Sequence, residues 1–148
     1  MGVLVYRKVL IAFDGSEDSH AALNAGADLA ALCKAEVVLL AVIDAGIDVA
    51  AAEAYASGSA TDEQYEETRS LLDQAMEGLR PRGLTGTTLM AFGHPAEQIT
   101  EKARELGADL VVIGHRTHGL WSRLANDAVG VQLVKDPPCS VLVVPPKG

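Results

Sequence analysis

The 148 residues fit one ordinary domain spanning 1–148, which is long enough to bury a core without disulfide or metal support. Hydrophobic residues make up 49% of the chain and aromatic residues only 4%, so the core is expected to consist mainly of Ala, Val, Leu and Ile. The formal net charge of −8 argues against binding nucleic acid or membrane surfaces, because phosphate groups need clustered Lys and Arg.

The two cysteines, Cys33 and Cys139, lie far apart and match no metal-binding or redox spacing. They are predicted to be reduced, buried thiols, as in a cytosolic protein. The opening MGVLVYRK contains no charged leader followed by a long apolar run, and no segment reaches ~18 consecutive apolar residues. We therefore expect no signal peptide, no membrane span and a cytoplasmic location.

Short apolar runs alternate along the chain with segments of helical periodicity. Strands are predicted at 8–13, 36–43, 87–92, 109–113 and 139–144. The third run is less apolar than the others and is expected nearer an edge of the sheet. Helices are predicted after Ser16, from Thr61, from Pro95 and from about Asp127, with Val131 and Val134 of the last one facing inward. Residues 45–60, rich in Ala, Gly and Ser, show no clean period.

Strands separated by helices are most simply parallel, with right-handed crossovers. The pattern therefore predicts an α/β fold: an open five-stranded parallel sheet with helices on both faces, similar to a Rossmann fold. Ligands bind such sheets beyond the carboxyl ends of the strands, where the strand order reverses. If the first and fourth strands are neighbours, Asp14 and Gly114 flank that crevice.

Three segments in order carry a family resemblance: IAFDGSEDSHAAL, GHPAEQITEKARELGADLVVIGHR and PPCSVLVVP. On these segments the chain resembles the universal stress protein family along its whole length. The resemblance implies the strand order 3-2-1-4-5 and a homodimer in which the C-terminal strands pair across a two-fold axis. It also implies a nucleotide site that includes Asp14, as a contact to ribose or metal, and Val42, whose backbone meets adenine.

Many members of that family bind ATP through the motif Gly-x2-Gly-x9-Gly-Ser after the fourth strand, where glycines let the backbone approach phosphate. Gly114 matches the first position, but the others fall on Thr117, Asp127 and Ala128. A carboxylate at Asp127 repels phosphate by roughly 3 kcal/mol at ~5 Å and an effective dielectric near 20. The segment GHRTHGLWSRL is similar to the branch typified by universal stress protein A, which does not bind ATP.

The candidate residues each have a second interpretation. Asp14 suits a turn or helix cap, and Val42 suits the core of a strand. His115 and His118 form an H-x-x-H pair without a third ligand, so a solvent-facing loop is favoured over a metal site. Arg116 and Arg123 are either anion contacts or surface charges. Trp121 is either a stacking group or a packing or dimer contact.

The sequence carries no Gly-x-Ser-x-Gly elbow and no Walker P-loop. The leading hypothesis is a cytoplasmic, homodimeric, non-enzymatic stress-response protein that acts through unidentified protein partners, with ATP binding weak or lost. The first alternative is an ATP- or AMP-binding sensor in which Mg²⁺ bridges Asp127 to phosphate. No other cofactor and no resident metal are predicted. A nucleotide phosphohydrolase is the second alternative.

Overall fold

The apolar runs form one parallel sheet in a computed structural model that describes residues 5–43, 61–115 and 129–145. The strands are β1 (Lys8–Ala12), β2 (Glu36–Ile43), β3 (Gly86–Phe92), β4 (Leu110–Gly114) and β5 (Ser140–Val144). The helices are α1 (Glu17–Cys33), α2 (Thr61–Leu79), α3 (Pro95–Leu106) and α4 (Val129–Lys135), with a 3₁₀ turn at Arg80–Arg82. The predicted strands are confirmed to within one residue at each end, and residues 45–60 lie outside the described residues.

The strand order is β3-β2-β1-β4-β5, and every neighbouring pair is parallel. The open parallel sheet and the order 3-2-1-4-5 are thus confirmed, and the less apolar third strand lies at an edge as predicted. The register sets Ile11 beside both Leu39 of β2 and Val112 of β4. The centre of the sheet is therefore β1, whose residues have partners on both sides.

Helices cover both faces of the sheet, as predicted. Val9 and Ile11 pack with α1 and α2 on one face, while Leu10 and Ala12 pack with α3 and α4 on the other. This alternation follows from the two-residue period of a strand. No helix of the described residues is long and apolar enough to cross a membrane.

The helix ends follow from local sequence. Ser16 caps α1, because its Oγ accepts a hydrogen bond from the Ser19 N–H at 3.2 Å. Pro95 occupies the first turn of α3, where its missing N–H is not needed. Gly107 ends α3 with a φ of 69°, a left-handed conformation that glycine adopts without strain. These three residues were predicted in these roles.

Two predictions of burial were wrong. Val131 and Val134 are 50% and 65% exposed, and Leu133 is the residue of α4 that enters the core. A helix of seven residues offers too few turns for its period to identify the inward face. Cys33 and Cys139 are free, as predicted, but only half-buried.

Asp109 ties the amino ends of β1 and β4 together. Its carboxylate accepts hydrogen bonds from the Arg7 N–H at 2.9 Å and from the Lys8 N–H at 3.1 Å. In return, the Asp109 N–H donates to the Lys8 carbonyl at 3.0 Å. The Lys8 ammonium group reaches the Leu106 carbonyl at 3.0 Å and Glu36 at 3.4 Å. One carboxylate thereby fixes the start of the central strand against β4.

We expect Asp109→Asn to lower the free energy of unfolding by about 1–3 kcal/mol, because an amide group places donors opposite backbone N–H groups. Urea denaturation measures the change. The control is Asp136→Asn, which alters an exposed carboxylate paired with Arg104 at 3.5 Å and should cost at most about 0.5 kcal/mol. Equal effects of the two substitutions would show that Asp109 has no special role.

Candidate functional site

The carboxyl ends of β1 and β4 lie side by side, as the sequence predicts for a ligand crevice. Val9, Leu10 and Ile11 pair with Leu110, Val111 and Val112 in parallel register. Asp14 follows β1 and Gly114 ends β4. The strand order reverses between these two strands, since β2 and β3 lie on one side of β1 and β4 and β5 on the other.

Asp14 forms the turn between β1 and α1. Its Oδ1 accepts a hydrogen bond from the Ser16 N–H at 2.9 Å, and Gly15 adopts a φ of 86° that glycine tolerates. One oxygen of Asp14 therefore serves the turn, which agrees with the interpretation of Asp14 as a turn residue. The half-buried side chain also lines a recess, so the structural role leaves a ligand role open.

This recess lies between α2 and the carboxyl ends of β1 and β2. It has a volume of about 120 Å³, and its walls are Phe13, Asp14, Ala41, Val42, Ile43, Gln64, Thr68, Leu71 and Leu72. A cavity of about 150 Å³ holds a benzene ring, whereas drug-sized ligands occupy about 300–1,000 Å³. The recess is smaller than both, so its described walls border only part of a ring-shaped ligand. It brings Asp14 and Val42 together, although Val42 also serves the core of β2.

Gly114 has a packing role that the motif comparison did not reveal. A Cβ atom at this position would lie 2.7 Å from the Asp18 carbonyl oxygen and 2.9 Å from the Asp18 Cβ. A Cβ atom in a real protein essentially never makes contacts shorter than 3.0 Å, and the obstacle here includes backbone atoms of Asp18, which cannot easily move aside. The first turn of α1 can rest on the end of β4 only because residue 114 has no side chain.

Asp18 is a polar residue whose burial sequence reasoning missed. It is 3% exposed, and its Oδ2 has no hydrogen-bond partner in the part of the chain that the structure describes. In the sequence, Glu17 and Asp18 are adjacent acids just after the cap residue Ser16, and both suit the positive end of the helix dipole equally well. The helical period could have separated them, because Asp18 precedes Ala22 by four residues and so shares its buried face.

The other predicted site residues fall outside the described residues. These are Thr117, Asp127 and Ala128 of the motif, together with Arg116, His118, Trp121 and Arg123. His115 is described and exposed, and its N–H donates to the Val144 carbonyl at 2.8 Å. The described side chains contain no group of three His, Cys, Asp or Glu that could hold a metal ion.

Neither cysteine is paired, and Cys139 is poorly suited to thiolate chemistry. Burial, and to a smaller extent the carboxylate of Asp109, raise the pKa of the Cys139 thiol above its ordinary value, against a smaller opposing effect of a hydrogen bond with the Val111 backbone. A raised pKa keeps the thiol protonated at neutral pH, and a protonated thiol is a weak nucleophile.

A family model described as the universal stress protein family matches residues 5–145. A protein of Staphylococcus haemolyticus assigned to the universal stress proteins is 32% identical, covering 96% of this chain and 86% of its own length. A universal stress protein of Synechocystis is 28% identical, covering 97% of this chain and 88% of its own length. The solved structure of a family member from Burkholderia pseudomallei is 31% identical with a TM-score of 0.76, covering 99% and 100% of the two chains.

Two further solved structures contain nucleotides. A universal stress protein in complex with cAMP is 21% identical with a TM-score of 0.69, covering 94% of this chain and 96% of its own. A family protein from Arabidopsis thaliana with AMP bound is 15% identical with a TM-score of 0.70, covering 96% and 93%. At these identities the likeness shows the fold alone.

We expect Gly114→Ala to lower the free energy of unfolding by about 1–3 kcal/mol, because the added methyl group meets the backbone of α1. Urea denaturation gives the change. The matched control is Gly78→Ala in α2, where an added Cβ meets no atom within 4 Å. That control should stabilise the protein by about 0.5–1 kcal/mol, since alanine favours helix. A neutral Gly114→Ala would contradict the packing role.

Proposed function

Since the chain belongs to the universal stress protein family, we propose that it is a single-domain, cytoplasmic, homodimeric stress-response protein. It acts through contacts with protein partners and has no catalytic activity. Its nucleotide site retains the part that receives a base and has lost the part that holds a triphosphate. The observation that carries this proposal is the small recess that Asp14 and Val42 both line. The motif that would hold the phosphates is altered at Thr117, Asp127 and Ala128.

The phosphate half of the site is weakened by charge and by shape. Asp127 takes the place of a glycine and repels a phosphate group by roughly 3 kcal/mol at ~5 Å and an effective dielectric near 20. Ala128 takes the place of a serine hydroxyl, and Thr117 adds a side chain where glycine gives the closest approach to the backbone. Gly114, the retained glycine, is already needed for packing against Asp18.

An AMP- or ATP-binding sensor is the second candidate function. Relatives of this fold have been solved with cAMP and with AMP, and the recess that Asp14 and Val42 line would border part of the base of such a ligand. A monophosphate meets less repulsion from Asp127 than a triphosphate does, because it carries fewer charges. ATP requires the further condition that Mg²⁺ bridges Asp127 to phosphate.

An enzyme of nucleotide hydrolysis is the least supported candidate. Such an enzyme needs a placed base or nucleophile, and the proposal assigns no residue to either role. Steady-state phosphate release from ATP that Asp14→Ala abolishes would favour this candidate over the proposed function.

The proposed dimer uses α4 together with the outer edge of β5, which pairs with no other strand of the described residues. The Val144 carbonyl accepts from the His115 N–H, so Val144 bonds toward β4, and by alternation Val141 and Val143 direct their backbone groups outward. An unpaired edge of this kind is a ready template for a second strand. The exposed side chains of Val131 and Val134 lie on α4, which packs against β5. Pairing of two copies would cover both features.

We expect millimolar ATP to leave the melting temperature unchanged, because the proposed loss of phosphate contacts places its dissociation constant above that concentration. A ligand stabilises a protein appreciably only when its concentration approaches or exceeds its dissociation constant. AMP should bind at least as tightly as ATP. Thermal-shift titrations with each nucleotide, with and without Mg²⁺, measure both. A shift with ATP that appears only with Mg²⁺ would favour the sensor, and tight binding of ATP alone would overturn the proposal.

The triple variant Thr117→Gly, Asp127→Gly, Ala128→Ser should bind ATP about a hundredfold more tightly than the native chain, which is the equivalent of roughly 3 kcal/mol. Calorimetric titration measures the gain. The control is the double variant Thr117→Gly, Ala128→Ser, which retains the carboxylate and should gain much less. No gain in the triple variant would place the loss of affinity elsewhere in the pocket.

We expect sedimentation velocity to find a dimer of the native chain and a monomer of Val131→Lys, Val134→Lys. The two lysines place like charges on a face that the dimer would desolvate. Both positions are already exposed in one copy, so the monomer should remain folded. The control is Leu32→Lys, at an 81% exposed leucine of α1, which should leave the dimer intact. A native chain that sediments as a monomer would refute the proposed assembly.

A further inference from the structure

The outer edge of β3 pairs with no other strand of the described residues. Just beyond the strand, the Gly93 N–H donates to the Ile43 carbonyl of β2 at 3.0 Å. Alternate residues of a strand direct their backbone groups to the same neighbour, so the odd-numbered residues of β3 bond to β2. Thr88 and Met90 therefore direct their N–H and C=O groups away from the sheet.

This edge lacks three of the features by which proteins protect an unpaired strand. Such strands commonly carry a charged side chain, a proline or a β-bulge. The seven residues of β3, GTTLMAF, include no charged residue and no proline. Their register with β2 runs residue by residue from Gly86 to Phe92, without a bulge. The edge of β3 is thus a suitable template for an extended segment of another chain.

One side of α2 faces this edge. Leu72 is 1% exposed and points into the core, and its neighbours in sequence lie about 100° to either side of it around the helix. Leu71 lies against Gly15, where α1 begins, so that side of α2 faces the centre of the sheet. Asp73 lies on the opposite side. Because α2 covers β2 and β3, the side that carries Asp73 faces the β3 edge.

This side of α2 is predominantly acidic. It carries a shallow groove of about 440 Å³, whose walls are Glu66, Arg69, Ser70, Asp73, Gln74 and Glu77. Glu77 pairs with Arg80 at 3.1 Å, whereas Glu66 and Asp73 take part in none of the ion pairs of the described ranges. The whole of α2 contains six acidic residues and one arginine. A strand added to β3 would therefore run beside negative charge.

We propose that the outer edge of β3 is a docking site for an extended, basic segment of a partner protein, which adds to the sheet as a sixth strand. The inference rests on the proposed function, because it specifies the protein partner. Hydrogen bonds to the backbone of Thr88 and Met90 hold the segment, and every second side chain lies over the acidic side of α2. A second copy of this chain suits the edge less well, since its own α2 would bring like charges together.

The test is fluorescence anisotropy of the full chain with a labelled nine-residue peptide in which lysine and valine alternate, so that all lysines share one face. The control is the peptoid with the same side chains, which keeps the charge but has no backbone N–H groups. The peptide should bind at least about tenfold more tightly than the peptoid. Equal affinities would show that the acidic surface attracts lysine without strand pairing, and would overturn the proposal.

Thr88→Pro tests the edge itself. It removes an N–H that points away from the sheet, so the hydrogen bonds with β2 remain and the fold should persist. The variant should bind the peptide at least about tenfold more weakly than the native chain. Thr88→Val is the matched control, because it keeps the N–H and a branched side chain, and it should leave the affinity unchanged. Equal affinity of the native chain and Thr88→Pro contradicts the proposal.

A pair of charge reversals tests the chemistry of the segment without altering the strand. Asp73→Lys acts on the acidic side of α2, whereas Glu101→Lys makes the same change of net charge between α3 and α4. Both carboxylates are exposed, so both variants should fold. Asp73→Lys should weaken peptide binding by about fivefold, and Glu101→Lys should weaken it much less. Equal losses would show that only net charge matters, against a site beside α2.

Sedimentation velocity tests for the other occupant of the edge. Oligomers larger than a dimer that Thr88→Pro abolishes would assign the edge to another copy of this chain and overturn the proposal. The dimer proposed above uses β5 and α4, and the nucleotide titrations concern the crevice at β1 and β4. Failure of peptide binding therefore leaves those predictions standing, and their failure leaves the β3 edge unaffected.

Discussion

The close approach of α1 to the end of β4 is the contact on which the candidate site depends. It is possible only because Gly114 has no side chain, since a Cβ there would lie 2.7 Å from the Asp18 carbonyl oxygen. The contact sets the start of α1 above the junction of β1 and β4, and with it the turn that contains Asp14 and Ser16. The packing of the fold therefore requires a glycine at position 114 whether or not a ligand binds. The family motif associates this same glycine with phosphate.

The carboxylates at the two ends of the sheet differ in how far their hydrogen bonds are used within the protein. At the amino ends of β1 and β4, the carboxylate of Asp109 binds the N–H groups of Arg7 and Lys8, so its hydrogen bonds are used within the protein. At the carboxyl ends, Asp14 uses one oxygen for its turn, and Asp18 has an oxygen without a partner in the described residues. Carboxylates that are satisfied support stability, whereas a buried oxygen without a described partner is a cost to the fold.

The proposed loss of triphosphate binding concerns one part of the crevice. It rests on the substitutions at Thr117, Asp127 and Ala128. A family member can lose one ligand contact without losing its fold, because the sheet is held by apolar residues on both faces. Nucleotide binding and the binding of a partner protein are for this reason separate questions in this chain.

By itself, the sequence determined the strands, the parallel sheet, the start of α1 and both ends of α3, because apolar runs, Ser16, Pro95 and Gly107 act locally. It also determined the family, through three segments in order, and the departures from the ATP motif. Only the tertiary structure decided that Val131 and Val134 are exposed, that Gly114 is needed for packing, and that Asp18 is buried without a partner. These properties depend on which surfaces distant elements cover, and local periodicity carries no information about the distance between a helix and a strand nearly a hundred residues apart.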